Sequence, residues 1–270
     1  MADLLKEVNG MCEGDAVASG VSRGSSPDEV TVVGLEEKQR QFNAAMELYS
    51  TRRVYKRFGL FVSFANVSLQ AWLVWCILPL SIGIAGELTA LLVAWILADF
   101  INGLVHLYMD HNDNYDSFCG PLIANFHLHH KLPRYGQKSL PVVYFLESGS
   151  KVWLVPCLAL LAATAGFFRL HPLLFHTLVY AGILSSVAEV SHYLCHNSMS
   201  PVVVFLGNRR ILLSKRHHAI HHMHDNVNYA FLNGVTDPLI NLIAARFPKG
   251  YKQNTDLHYA TYSGEIGSRQ

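Results

Sequence analysis

Apolar residues run almost unbroken through four stretches of the chain, residues 60–82, 88–108, 152–168 and 173–194, with polar segments between them. Each stretch is near the roughly 17–25 residues a helix needs to cross a bilayer. The third stretch is short and contains Pro156, and the fourth carries Glu189, so a deeply buried helical bundle is the competing reading. Residues 1–50 are polar, include Gly24, Ser25, Ser26 and Pro27, and lack the basic, apolar and small-residue succession of a cleaved signal peptide. They read as a mobile cytosolic tail, residues 51–250 as the membrane domain and residues 251–270 as a second polar tail.

Composition strengthens the membrane reading: 51% of residues are hydrophobic and 15% charged, against about 25% charged in soluble chains. With 21 basic and 20 acidic side chains the net charge is +1, which offers nucleic acid no general attraction. Five scattered cysteines without a C-x-x-C pair argue against a disulfide framework. Charge then orients the spans. Arg52, Arg53, Lys56 and Arg57 precede the first, and Lys131, Arg134, Lys138 and Lys151 follow the second. Arg209, Arg210, Lys215 and Arg216 follow the fourth, whereas the other two connections hold Arg169 alone. The positive-inside bias places both termini and the 110–151 loop in the cytosol.

Histidine is the compositional outlier, at 15 residues, and most of it falls on that same side. The stretch KRHHAIHHMHD (215–225) sets His217 four before His221 and His218 four before His222. Residues four apart share a helix face, and the two pairs are turned by about 100° from each other, a geometry that can serve two metals. GLVHLYMD repeats the spacing with His106 and Asp110, EVSHYLCH with His192 and His196, and FHLHHKLP adds His129 and His130. A single i, i+4 pair is commonly structural; four such clusters on one side of a membrane point to metal.

Ten ligands suit two ions of about four to six ligands each, with a position left for a small molecule. Imidazole alone does not separate zinc, copper, nickel and iron. Ten ligands exceed what one zinc takes, no H-E-x-x-H supplies a general base, and two irons fit best. His127, Glu189, Asn228, Asn233 and Asp237 are candidates to orient the imidazoles, Glu189 because it stands three before His192. His111 and His224 lie beside the clusters without the repeated spacing; His171, His176 and His258 read as structural or surface residues.

In order and spacing, GLVHLYMD, FHLHHKLP, EVSHYLCH, KRHHAIHH and NYAFLNG resemble the Kua-type lipid desaturase family, over residues 98–238. That family includes plasmanylethanolamine desaturase, which makes the vinyl ether of plasmalogens, and a plastid desaturase of the palmitoyl chain of phosphatidylglycerol. The four apolar stretches and the charge bias together predict an all-α integral membrane protein with four transmembrane helices and a cytosolic histidine-rich metal-binding cap. The resemblance implies a di-iron, O2-dependent oxidoreductase acting on an acyl or alkyl chain, with His106, Asp110, His129, His130, His192, His196, His217, His218, His221 and His222 at the ligand positions. Leu107 stands where the family usually has Trp, and DHNDNYDS replaces a short D-x-x-G turn, which leaves the lipid open.

No G-x-G-x-x-G fingerprint is present, so electrons are expected from a separate carrier such as cytochrome b5 or ferredoxin. The expected location is the endoplasmic reticulum membrane in a eukaryote or the inner membrane in a bacterium. A lipid hydroxylase is the nearest rival. A zinc-dependent lipid hydrolase would need fewer ligands, and a metal transporter more intramembrane polar groups than Glu87, Asp99 and Glu189.

Overall fold

The structure, a computed structural model, describes residues 27–131, 136–224 and 226–246. The polar tail expected over 251–270 and His258 lie outside the described residues. The chain divides into units Met1–Gly34 and Leu35–Gln270.

Among the described residues all regular structure is helical. Four long helices dominate: α1 (Pro27–Thr51), α2 (Arg53–Ile77), α3 (Gly83–His111) and α7 (Pro172–Asn197). Between and after them lie α4 (Gly120–Lys131), α5 (Leu140–Glu147), α6 (Leu154–Phe167), α8 (Pro201–Asn208), α9 (Lys215–Met223) and α10 (Asp237–Ala244). Helices α2, α3 and α7 are each long and apolar enough to cross a membrane. The third expected span differs. Its helix α6 has 14 residues, about 21 Å at 1.5 Å per residue, and meets the preceding 140–150 segment at 92°. Three spans are present by length and composition, or up to four if that bent pair counts as one.

On these helices many large apolar side chains face outward, and polar side chains are buried among apolar ones. On α2, Phe61, Phe64, Trp72 and Trp75 are exposed while Ser63, Asn66 and Gln70 are buried. The buried amides tie neighbouring helices together. Asn66 Nδ2 donates to the carbonyls of Ser148 and Lys151, and Gln70 Nε2 to the Gly182 carbonyl and Ser186 Oγ. In lipid, where apolar burial gains nothing between helices, such bonds and close packing hold spans together. α3 packs along α7, and Leu73, Ile77, Leu154, Leu158, Phe175 and Val179 join α2, α6 and α7.

The expected tail over residues 1–50 is helical in its second half. Phe42, Ala45 and Met46 of α1 are buried against Tyr115, Ile123, Ala124 and Leu128, and Lys38 Nζ lies 3.3 Å from Asp113 Oδ2. Their i, i+3, i+4 spacing is the signal that polar composition masked. Since α4 carries three histidines, α1 braces a functional helix. Phe42→Ala should cost about 3–5 kcal/mol of stability, read as a lower melting temperature in detergent with α2, α3 and α7 still helical.

Candidate metal centre

Two groups of potential ligands assemble at one end of α3 and α7. In the first, one nitrogen each of His129, His192, His196, His218 and His222 lie within 4.8 Å of one another; in the second, one nitrogen each of His106, His130 and His221 and a carboxylate oxygen of Asp110 lie equally close. Four segments of chain meet there, and local helix geometry explains the sorting. His192 and His196 on α7, and His218 and His222 on α9, are i, i+4 pairs that point into the first group, while His106 and Asp110 on α3 point into the second. His129 and His130 are consecutive on α4, so the 100° step between them divides them between the groups. His221, one position before His222, is divided from it in the same way.

The first group is made of converging nitrogens. His192 Nε2 is 2.9 Å from His218 Nε2 and 3.2 Å from His196 Nε2, and His218 Nε2 is 3.1 Å from His222 Nε2. Burial, reinforced by the neighbouring imidazoles, holds His129 and His218 well below the usual histidine range. Both rings are therefore neutral, with one N–H and one lone pair each. Protons cannot satisfy every contact of such a knot, whereas one cation can accept all the lone pairs. Ligand bonds of about 2.0–2.1 Å put neighbouring nitrogens about 3 Å apart, as found here.

The second group gives a sharper test. His106 Nδ1 lies 2.8 Å from the Tyr229 carbonyl oxygen, and His221 Nδ1 lies 2.9 Å from that of Val227. A carbonyl only accepts, so Nδ1 carries the proton in both rings and a neutral ring presents a lone pair at Nε2. Each of these Nε2 atoms faces Asp110 Oδ2 at 3.4 Å. All three side chains are buried. Lone pairs aimed at a buried carboxylate oxygen repel it unless a cation sits between them. Carbonyl-locked tautomers are the usual outer support of metal-binding imidazoles. The donor set fits a metal pair: nitrogen-rich on one side, three imidazoles and a carboxylate on the other.

Of the ten residues expected to bind metal, nine are brought together and His217 is not. Its Nε2 is 2.5 Å from Asp237 Oδ2, while Asp237 Oδ1 accepts from the Ala230 amide. The expected His217–His221 pair thus corrects to two separate roles, because a nine-residue helix turns His217 toward α10 instead of α3. His217→Gln should leave the metal content at the wild-type value, whereas any of the nine assembled residues should not; elemental analysis distinguishes them.

The remaining candidates are placed as supports. His127 Nε2 donates to the Met109 carbonyl at 2.8 Å, and its Nδ1 accepts from Tyr115 Oη at 2.8 Å, which docks α4 beside Asp110. Asn228 donates from Nδ2 to the His217 carbonyl, and Asn233 Oδ1 accepts from the Val235 amide. Glu189 does not pair with His192: its Oε1 is 2.9 Å from Lys151 Nζ, which also reaches Asn102 Oδ1. His111 Nδ1 donates to the Leu107 carbonyl, His176 lies 3.5 Å from Glu87, and His171 and His224 are exposed.

One keystone escaped the sequence reading. Asp99 is fully buried; its Oδ1 accepts from the amides of Leu232, Asn233 and Gly234, and its Oδ2 from the amide and hydroxyl of Thr236. It fixes residues 232–236 against α3, two turns from His106. Phe231, just before that turn, lays its ring 4.4 Å from the rings of both His106 and His192. A Cβ at Gly103 would collide with Ile240 Cδ1, so this glycine lets α10 lie close against α3. The available signal was Asp99 itself, a lone carboxylate in an apolar span, with N-G-x-T far downstream.

Neither a curated protein nor a solved structure matches this chain. The lipid desaturase domain, as a family, matches residues 95–246, more than half the chain. That range contains all nine assembled ligand candidates, together with Asp99 and the loop it holds. The chain therefore belongs to the lipid desaturase family.

Proposed function

We propose that this protein is a membrane di-iron desaturase that introduces a double bond into an acyl or alkyl chain of a lipid. The observation that carries the metal reading is the pair of imidazole lone pairs turned by backbone carbonyls onto Asp110. His129, His192, His196, His218 and His222 would hold one iron, and His106, Asp110, His130 and His221 the other. Bound irons supply the oxidising power that an unactivated C–H bond requires. Overall, the lipid loses two hydrogens from adjacent carbons, and O2 takes these with two electrons and two protons from outside to leave two waters. The electrons come from a carrier such as cytochrome b5 or ferredoxin.

The chain's own residues bind, orient and exclude water. The Tyr229 and Val227 carbonyls hold the Nδ1 protons of His106 and His221, which keeps both Nε2 atoms available through the reaction. Asp110 would contribute a carboxylate oxygen to a set that is otherwise imidazole. Phe126, Tyr229 and Phe231 pack edge or face against His106 and shield this side of the centre from water. The basic residues at the start of α2 and after α7 support a cytosolic side for the centre by the positive-inside bias. That membrane is the endoplasmic reticulum in a eukaryote or the inner membrane in a bacterium, and an alkyl ether lipid leading to a plasmalogen is one substrate to try first.

The test is lipid profiling of cells expressing the full chain against cells expressing His192→Ala. A lipid two hydrogens lighter, absent from the variant, is expected. A product one oxygen heavier would make the enzyme a hydroxylase; released fatty acid with unchanged chains would move it to the zinc hydrolases.

A further inference from the structure

A cleft separate from the metal centre opens between α8, the start of α9 and the loop at Asn233. It has a volume of about 250 Å³ and is lined by Asn208, Arg210, Ser214, Arg216 and His217 among others. That is smaller than the roughly 300–1,000 Å³ of a pocket that takes a whole small molecule, and so suits a single chemical group. Arg210 and Arg216 form no ion pair with a described carboxylate. Residues 201–223 hold Arg209, Arg210, Lys215 and Arg216 and no acidic residue. Ser214 precedes α9 and its hydroxyl caps nothing, so the first amides of α9 add partial positive charge to the same rim. Arg210 has a φ of 55°, held by a bond from its amide to the Gly207 carbonyl.

The level of the cleft is set by α8. This helix leaves the end of α7 after three residues and exposes Val202, Val204 and Phe205, with Met199 and Ile211 exposed on either side. The Arg209 guanidinium lies 5.4 Å over the Phe205 ring. Apolar residues beside arginines that pair with no described carboxylate fit a helix lying in the membrane interface, where lipid phosphates are. The cleft also backs onto the centre, since His217 lines one and His218 belongs to the other.

We propose that this cleft binds the phosphate of a membrane phospholipid, with Arg210 and Arg216 forking onto its oxygens and the α9 amides completing the site. The binding rests on the cleft alone; that the anchored lipid is the one oxidised rests on the desaturase reading above. Inorganic phosphate and a phospholipid present the same anion, and a soluble acidic electron carrier could use the same arginines. The experiment separates these.

Full-length protein in detergent, wild type and the R210Q/R216Q double variant, is titrated with a short-chain phosphatidylglycerol, the matching diacylglycerol and inorganic phosphate, with binding read by native mass spectrometry. Wild type should bind the phospholipid, ignore the diacylglycerol and bind inorganic phosphate more weakly. The double variant should lose about tenfold or more in phospholipid affinity at unchanged metal content. R210K/R216K keeps the charge without the fork and should fall between them, which guards against a folding defect in the first variant. Equal phospholipid binding by wild type and double variant overturns the proposal, as does inorganic phosphate binding as tightly as the lipid. A variant changed only in its dependence on electron-donor concentration overturns it in favour of a donor surface. Retention of phospholipid without any double-bond formation would leave the cleft standing and sink the desaturase reading.

Discussion

His218→Ala should abolish lipid oxidation, lowering double-bond formation more than about 100-fold, and should empty the first metal position. Outer supports of metal ligands already cost about 10–100-fold when removed, and His218 is a central member of its group. Its Nε2 meets those of His192 and His222, its ring packs 4.9 Å from His196, and it stacks 5.5 Å from His221 of the neighbouring group. Removing it deletes a ligand and opens a void between the two positions. The variant should remain folded, because Asp99, Asn66 and Gln70 hold the helices without it. Metal analysis and helical circular dichroism on the same preparation check both halves: metal near half the wild-type value, and helix content unchanged. Full metal content with activity lost would mean that His218 acts on substrate and is not a ligand.

Asp99→Ala should have the largest effect on stability of any single substitution outside the metal groups. Five donors converge on this buried carboxylate. A buried donor left without a partner costs about 1–3 kcal/mol, and breaking a buried charged cluster about 3–5 kcal/mol, against a total stability of about 5–15 kcal/mol. The damage should reach the centre by a definite route. Residues 232–236 lose their anchor, Ala230 and Tyr229 are released next, and the Tyr229 carbonyl no longer fixes the His106 tautomer. Reduced expression and a lower melting temperature should therefore accompany loss of metal from the second group. Asp99→Asn, which keeps one acceptor oxygen, should be milder on both counts. Normal metal binding in a destabilised Asp99→Ala protein would break the proposed link between loop and centre.

The legible part of this site was legible for one reason: helical periodicity brings i and i+4 together whatever the tertiary structure. His106 with Asp110, His192 with His196 and His218 with His222 needed only that rule. What tertiary packing decides was out of reach. Nothing local says that His129 and His130 go to different groups, or that His217 turns to Asp237, 20 residues on. Glu189 shows the same limit. Its nearest histidine along the helix suggested a partner, but Lys151, which reads in sequence as an ordinary loop charge, is buried and takes it. The shape of the third span was out of reach because hydropathy reports apolar content without direction, and the 92° bend between the 140–150 segment and α6 leaves no mark on it. Helix α1 was hidden by its polar face, since Phe42, Ala45 and Met46 are too few to raise the average.

If the nine side chains hold two irons, metal content per chain reports it. Full-length wild-type protein, purified in detergent and measured by elemental analysis, should carry close to two irons. One zinc and no iron would contradict the account.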